Sequence, residues 1–138
     1  MKELIMEIKI MVVDDEEEIL NLLRKYLEKA GFNNVVTIND PEKALELMQK
    51  ELYKIVLLDI RMPKMDGIEL LQKIKDINPL CNIIMVTAYS DLNNVVECIA
   101  RGAVDFVAKP FKMKELTNIV GQCRERIDRW KDVILKNG

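Results

Sequence analysis

The chain has 138 residues, of which 49% are hydrophobic and 32% charged; this composition suits one globular domain and excludes a disordered chain. Its 21 basic and 23 acidic residues give a formal net charge of −2, so no excess of positive charge predicts nucleic-acid binding. The absence of histidine excludes imidazole as a base, a metal ligand or a phosphate carrier within this chain.

Neither secretion nor membrane insertion is predicted. The longest apolar runs, such as 55–58 and 83–86, are far shorter than the roughly 18 residues that a spanning helix needs. The first residues lack the pattern of a signal peptide. Cys81, Cys98 and Cys123 are odd in number and lack metal-ligand spacing, so we expect buried, reduced thiols in a cytoplasmic protein.

Short apolar runs alternate with amphipathic segments five times along the chain. The run at 9–13 precedes a helical pattern, and Gly31 suits the position just after that helix. A weaker strand at 35–38 is followed by Asp40 and Pro41, which are typical of a helix cap and first helical position. The pattern then predicts a strand at 55–58, a turn at 62–67 and a helix that Asn78 and Pro79 end. A strand at 83–86 and a helix that ends at Gly102 follow. The last predicted elements are a strand at 103–107 and a helix from about Met113.

This alternation predicts an α/β fold with three layers, in which five parallel strands form a doubly wound sheet. Strands that alternate with helices are joined by right-handed crossovers, which place helices on both faces of the sheet. The runs at 55–58 and 83–86 are apolar at every position, as expected for strands covered on both faces.

Polar residues follow four of the five predicted strands. Asp14 and Asp15 follow the first, Asp59 the third, Thr87 the fourth and Lys109 the fifth. Ligands of open α/β sheets bind outside the carboxyl ends of the strands, so we expect these side chains to converge. Clustered carboxylates repel one another, and Mg²⁺, which prefers oxygen ligands, would neutralise them. A carboxylate is also the nucleophile in enzymes that form aspartyl phosphate, and a lysine, a hydroxyl and a metal suit the phosphoryl oxygens.

Taken singly, these residues have simpler interpretations. Acids at 14–18 favour the first turn of a helix, with Asp-x-x-Glu capping. A threonine in a strand is ordinary, and a lysine near an aspartate forms a salt bridge. The combination at four strand ends favours a phosphoryl site.

The chain resembles the response-regulator receiver domain of two-component signalling over about residues 8–127. The matching motifs are Asp14-Asp15, Leu58-Asp59-Ile-Arg-Met-Pro-Lys-Met-Asp-Gly67, Val86-Thr87-Ala88 and Asp105-Phe-Val-Ala-Lys109-Pro110. The second motif is most similar to receivers of the nitrogen-regulation type, which precede an ATPase domain. The resemblance implies the strand order 2-1-3-4-5, which is the order of a chemotaxis member of the family.

By resemblance, Asp59 accepts a phosphoryl group from a sensor histidine kinase. Asp14, Asp15, Asp59 and the backbone carbonyl of Arg61 are the implied ligands of Mg²⁺, or of Mn²⁺ in its place. The remaining roles implied are phosphoryl binding by Thr87 and Lys109, an aromatic switch at Phe106, a cis peptide bond between Lys109 and Pro110, and control of the dephosphorylation rate by Arg61 and Tyr89.

The implied function is a phosphorylation-dependent signalling switch that is not a turnover enzyme on an external substrate. It would alter partner binding or self-association through the face formed by helix 4, strand 5 and helix 5. Three alternatives share some features: a flavodoxin-like cofactor binder, a phosphatase of the haloacid-dehalogenase type and a pseudo-receiver scaffold. Acids after the first strand disfavour a flavin phosphate, and the phosphatase places an Asp-x-Asp motif there.

We expect a receiver domain at 1–127 and a helical extension at 128–138. The final helix carries apolar or half-apolar residues with alternating spacings of three and four, and Trp130 and Ile134 lie beyond the expected domain end. We therefore favour self-association of the extension as a dimer helix, or a linker to an output domain. The output would be a downstream protein or that missing domain, without direct contact to nucleic acid or membrane. The stripe comprises Met113, Leu116, Val120, Cys123, Ile127, Trp130 and Ile134.

Overall fold

Five parallel strands form the centre of the molecule, and five helices cover them. The computed structural model describes residues 8–137, so the expected domain start at residue 1 and the end of the extension at residue 138 lie outside the described residues. The strands are β1 (Ile10–Val13), β2 (Val35–Ile38), β3 (Ile55–Leu58), β4 (Asn82–Thr87) and β5 (Asp105–Ala108). The helices are α1 (Glu17–Lys29), α2 (Pro41–Lys50), α3 (Gly67–Ile77), α4 (Leu92–Ala100) and α5 (Met113–Asn137).

The sheet order is β2-β1-β3-β4-β5, which confirms the predicted order and the doubly wound α/β fold. All four strand pairs are parallel, and the register aligns Val13 with Leu58 and Leu58 with Met85. The carboxyl ends of β1, β3 and β4 therefore lie side by side at one edge of the sheet, where the residues after each strand meet.

Two apolar cores lie on opposite faces of the sheet, because side chains of a strand alternate between its faces. Ile10 and Val12 face the core that α1 and α5 close, whereas Met11 and Val13 face the core that α2, α3 and α4 close. β3 and β4 are buried at every position, which confirms that they are covered on both sides, and β1 is buried throughout as well.

Local signals set the helix ends. The Asp40 carboxylate accepts a hydrogen bond from the Glu42 amide, as expected for the α2 cap. Gly31 and Gly102 adopt φ of +95° and +107°, in the left-handed region that glycine enters at little cost after a helix. The residue before α1 is Glu16, whose side chain makes no capping bond, so the simpler interpretation of the acids at 14–18 as an Asp-x-x-Glu cap is wrong.

The fifth strand begins at Asp105, two residues later than predicted. The Ala103 amide donates to the Cys98 carbonyl and closes the end of α4, so it is unavailable to the sheet. The Val104 amide already bonds to the Ile83 carbonyl of β4, and the regular ladder starts at the next residue.

The three cysteines are free and buried, as expected. Burial raises the pKa of Cys81 to about 12 and that of Cys98 to about 11. Among the described residues, no helix has both the length and the apolar composition needed to cross a bilayer.

The final helix has two parts. Leu116, Val120, Cys123 and Ile127 are buried against the sheet. The extension beyond Ile127 continues as regular helix, with 49% of Trp130 and 68% of Ile134 exposed. Only the first part of the apolar stripe therefore packs in the core.

Candidate functional site

The polar residues predicted at the strand ends meet at one edge of the sheet. Asp14 and Asp59 follow β1 and β3 directly, and both are buried, whereas the neighbouring Asp15 is exposed. Carboxylate oxygens of these three residues all lie within 4.8 Å of one another. The parallel register of β1 and β3 produces this convergence, because it places Val13 beside Leu58.

Lys109 joins the two buried carboxylates. Its Nζ donates to Asp14 Oδ2 at 2.8 Å and to Asp59 Oδ2 at 3.2 Å. The lysine side chain is only 13% exposed, so these ion pairs are largely shielded from water. Lys109 follows β5 at the edge of the sheet, and its side chain therefore reaches towards strands in the centre.

The charges of this cluster perturb one another. Burial raises the pKa of Asp14 above its ordinary value, although the hydrogen bonds from Lys109 and the Glu16 amide act in the opposite direction. Burial alone would lower the pKa of Lys109, but Asp14 and Asp59 outweigh it and raise that pKa. The cluster contains three carboxyl groups and one ammonium group. For Asp14, the effect of burial on the pKa is larger than that of its hydrogen-bond partners.

Backbone amides orient one oxygen of each buried carboxylate. The Glu16 amide donates to Asp14 Oδ1 at 2.9 Å, and the Ile60 amide donates to Asp59 Oδ1 at 2.7 Å. In both residues the opposite oxygen, Oδ2, bonds to Lys109. Each side chain is thus held in a defined orientation before any ligand binds.

Thr87 ends β4 beside this cluster and is fully buried. Its hydroxyl oxygen accepts a hydrogen bond from the Tyr89 amide at 3.1 Å, and its carbonyl accepts one from the Lys109 amide at 2.9 Å. The second bond links the end of β4 to the residue whose side chain joins the carboxylates. The Lys109–Pro110 peptide bond is cis.

Phe106 lies on β5, and its partner in the register is Met85 of β4. Thr87 is two residues after Met85 on β4. Phe106 and Thr87 therefore share one face of the sheet. The ring is partly buried and packs against the core on that face.

Arg61 and Tyr89 contact each other next to the site. The Arg61 guanidinium carbon lies 4.7 Å from the centre of the Tyr89 ring, a cation–π contact between the loops that follow β3 and β4. Asn94 on α4 donates to the Tyr89 carbonyl at 3.3 Å and ties the second loop to that helix.

Gly67 supports the site, and its role was missed by the sequence analysis. A Cβ at this position would lie 1.8 Å from the Asp59 carbonyl oxygen and 2.7 Å from Ile60 Cα. The Gly67 amide also donates to the Ile60 carbonyl. The signal available was a glycine, a poor helix former, directly after the helix-capping Asp66.

The donor set suits a hard divalent cation. Asp14, Asp15 and Asp59 supply only oxygen, and the carboxylates outnumber the one ammonium group that bonds to two of them. Mg²⁺ is usually held by one or two carboxylates together with waters and phosphate oxygens, and the exposed Asp15 keeps one side of the cluster open.

Comparison with known proteins gives one consistent family. The family model of the response regulator receiver domain matches residues 10–121. The transcriptional regulatory protein ZraR of Escherichia coli is 38% identical over 109 residues, which are 79% of this chain and 24% of that protein. The sporulation initiation phosphotransferase F of Bacillus subtilis is 38% identical over 112 residues, which are 81% of this chain and 90% of that protein. The chain thus spans about a quarter of ZraR but nearly all of the second relative.

Solved structures agree with these sequence relatives. A CheY-like receiver domain protein from Methanospirillum hungatei superposes with a TM-score of 0.84 and 30% identity, covering 88% of this chain and 97% of that one. NtrX from Brucella abortus gives a TM-score of 0.83 at 31% identity, covering 91% of this chain and 29% of that one. ZraR and NtrX give partial support to the predicted nitrogen-regulation type.

Proposed function

The chain belongs to the response regulator receiver domain family, and from this premise we propose that Asp59 is its phosphoacceptor in a Mg²⁺-dependent switch. A receiver domain is a signalling switch and not a turnover enzyme, so the phosphatase alternative is not retained. The observation that carries the proposal is the Lys109 side chain, which bonds to the buried carboxylates of Asp14 and Asp59 at once.

The phosphoryl transfer needs a nucleophile and a sink for negative charge. An Asp59 carboxylate oxygen forms the bond to phosphorus as the bond from phosphorus to the donor breaks. For a kinase phosphohistidine, the electron pair of the broken P–N bond and a proton remain on the kinase imidazole. Mg²⁺ would be held by the carboxylates of Asp14, Asp15 and Asp59 and by the Arg61 backbone carbonyl, and it would supply positive charge that offsets the phosphoryl oxygens.

Lys109 and Thr87 act on the phosphorylated state. The Lys109 ammonium, already paired with Asp59 Oδ2, is close enough to transfer a hydrogen bond to a phosphoryl oxygen on that carboxylate. The Thr87 hydroxyl bonds to the Tyr89 amide and has a proton to donate when a phosphoryl oxygen arrives. A shift of Thr87 would open space for Phe106 on the same face of the sheet, and the face formed by α4, β5 and α5 would then change.

Labelling with acetyl phosphate tests the proposal. Intact-mass measurement should show addition of one phosphoryl group to the chain in Mg²⁺ and none in EDTA. Asp59→Asn should abolish the addition, and Asp76→Asn is a matched control because Asp76 is an exposed acid on α3. Full labelling of Asp59→Asn would overturn the assignment of the phosphoacceptor.

The second candidate is a pseudo-receiver that binds partners without phosphorylation. Its support is that Lys109 and two backbone amides already bond to the buried carboxylates of Asp14 and Asp59. The same labelling experiment separates the two, since a pseudo-receiver would remain unlabelled in Mg²⁺ by acetyl phosphate and by kinases alike.

We further propose a sensor histidine kinase as the phosphoryl donor and a downstream protein or an output domain as the responder, in a cytoplasmic system. The proposal rests on family membership and on ZraR and NtrX, which are much longer than this chain. In such a protein the extension of α5 beyond Ile127 would be the linker. Self-association of the extension stays a prediction, and sedimentation velocity of the full chain and of a chain ending at Asp128 tests it.

A further inference from the structure

β2 lies at one end of the sheet order, with β1 beside it. Successive residues of a strand direct their backbone groups alternately towards the neighbouring strand and away from it. The Asp14 amide donates to the Ile38 carbonyl, so Ile38 faces β1, and Val36 does so as well. Val35 and Thr37 therefore direct their amides and carbonyls away from the sheet. We call these backbone groups the outer edge of β2.

The sequence of β2 provides no protection against pairing with another strand. Proteins commonly protect an edge strand with a charged side chain or a proline in the strand itself. The segment 32–39 has neither, and it reads Phe-Asn-Asn-Val-Val-Thr-Ile-Asn. The strand is rich in β-branched residues, which favour strand pairing, and Val36 and Thr37 are partly exposed. Any protection of this edge therefore comes from another element.

Arg24 of α1 covers the outer edge of β2. Its Nη1 donates to the Val35 carbonyl at 3.0 Å, and its Nη2 donates to Thr37 Oγ1 at 2.9 Å. The guanidinium thus spans the two residues whose backbone groups point outward, and it already bonds to a carbonyl that an added strand would need. The planar fork of arginine suits two acceptors at once. Glu28, one turn further along α1, lies 3.9 Å from Nη1.

We propose that the outer edge of β2 is a strand-pairing surface that Arg24 keeps closed, and that the strand it excludes is β2 of a second copy of the chain. A two-fold axis through Val36 would place Val35 of one copy opposite Thr37 of the second copy. In this antiparallel arrangement each such pair would exchange both of its backbone hydrogen bonds.

A second copy suits this edge better than a strand of another protein. The edge is short and its side chains are uncharged, so it offers no charge that would select a foreign strand. Pairing with itself needs no such selection, because the two strands have the same length and the same β-branched side chains.

The simpler interpretation is that Arg24 only fastens α1 to the sheet. That helix is already held by Leu20, Leu23 and Leu27, which are buried in the core on the same face of the sheet. An additional anchor would not need to bond to an outward carbonyl of the edge strand. The position of the guanidinium therefore favours protection of the edge.

The inference does not depend on phosphorylation of Asp59. β2 and β5 lie at opposite ends of the sheet order, so pairing through β2 would leave the face formed by α4, β5 and α5 uncovered. Asp59 follows β3 in the centre of the sheet. Beryllofluoride should therefore leave association through β2 unchanged.

Sedimentation velocity of Arg24→Met tests the proposal, because methionine keeps an apolar stem and removes the guanidinium. The dimer dissociation constant should fall at least about tenfold relative to the parent chain. Arg101→Met is the matched control and should sediment like the parent chain. Arg101 pairs with Glu97 of α4 much as Arg24 pairs with Glu28, and the two arginine side chains are 40% and 41% exposed.

Amide hydrogen exchange identifies the surface that pairs. In the parent chain the Val35 and Thr37 amides should exchange faster than the Val36 amide, which faces β1. In Arg24→Met the first two amides should become protected as the dimer forms. Thr37→Lys in the Arg24→Met background should restore the monomer and the fast exchange, because lysine on an edge strand opposes pairing.

Thr37→Val opens the edge in a second way and leaves α1 unchanged. Valine is close to threonine in shape but lacks the hydroxyl that Arg24 bonds to, so we expect a smaller fall in the dimer dissociation constant than in Arg24→Met.

The inference would be overturned if neither Arg24→Met nor Thr37→Val associated more strongly than the parent chain, whatever their loss of stability. A dimer in which the Val35 and Thr37 amides still exchange fast, or one that Thr37→Lys does not dissociate, would overturn it as well, since the copies would then meet elsewhere.

Discussion

Lys109 and Asp14 are 95 residues apart in the chain, yet the Lys109 Nζ lies 2.8 Å from Asp14 Oδ2 in a nearly dry setting. The same ammonium also bonds to Asp59, so one cation is shared by two buried carboxylates. The ion pair between Lys109 and Asp14 therefore connects the end of β5 to the end of β1.

Replacement of Lys109 should destabilise the chain when no divalent cation is present. Lys109→Met leaves two buried carboxylates without their shared cation, and we expect a loss of about 3 kcal/mol in the free energy of unfolding. Urea denaturation in EDTA measures it, and added Mg²⁺ should recover more stability in the variant than in the parent chain. Lys73→Met is the control, because its pair with Glu69 is exposed and contributes less than about 1 kcal/mol. Equal effects of both substitutions would contradict the prediction.

Two glycines should respond to alanine in opposite directions. Gly67→Ala places a Cβ 1.8 Å from the Asp59 carbonyl, and the resulting shift of backbone should cost about 3 kcal/mol or more. Gly121 lies within α5 with open space around its added Cβ, so Gly121→Ala should stabilise the chain by about 1 kcal/mol. Thermal and urea unfolding of both variants decide the matter; destabilisation by Gly121→Ala would show an unrecognised contact.

Thr87→Ala should separate phosphorylation from the response to it. The Asp59 carboxylate and Lys109 are untouched, so labelling by acetyl phosphate should persist. The variant lacks the hydroxyl that would bond to a phosphoryl oxygen. The changes in amide chemical shift on α4, β5 and α5 should therefore be small after beryllofluoride is added. Thr87→Ser keeps the hydroxyl and should respond like the parent chain. NMR spectra in which Thr87→Ala matches the activated parent chain would refute the coupling.

Arg61 and Tyr89 should set the phosphoryl lifetime together. Their cation–π contact spans two loops beside Asp59, and removal of either side chain gives water an easier approach. We expect Arg61→Ala and Tyr89→Ala to dephosphorylate several-fold faster, and the double variant to be no faster than the quicker single one. Loss of label after removal of acetyl phosphate gives the rates. Strictly additive effects would mean that the two side chains act separately.

Lys54 should make stability depend on pH above neutrality. Its pKa is about 8 in the folded chain and 10.5 in the unfolded chain, so between these values the unfolded state binds more protons and stability rises with pH. Below pH 8 both states are protonated, and the cost of the buried ammonium is present in full. Lys54→Met should therefore stabilise the chain most below pH 8, with the gain shrinking towards pH 10.5. A constant gain across this range would show that burial does not perturb the ammonium.

Much of the molecule follows from its sequence. Uniformly apolar runs predicted the buried strands β3 and β4, and Asp40, Gly31 and Gly102 marked helix ends, because capping and left-handed geometry depend on a few adjacent residues. The expectation that acids after separate strands converge also holds, since parallel register places strand ends together.

Tertiary structure decided the rest. The contact of Gly67 with the Asp59 backbone, the stacking of Arg61 on Tyr89 and the nearness of Lys54 to Lys131 each join segments that the sheet order or the last helix brings together. In the last helix the regular spacing alone does not separate buried from exposed positions; the family resemblance, which places the domain end near Ile127, indicated that Trp130 and Ile134 lie beyond the core, and both are exposed. Periodicity records which side of an element is apolar, whereas the distance between two side chains depends on how the elements pack.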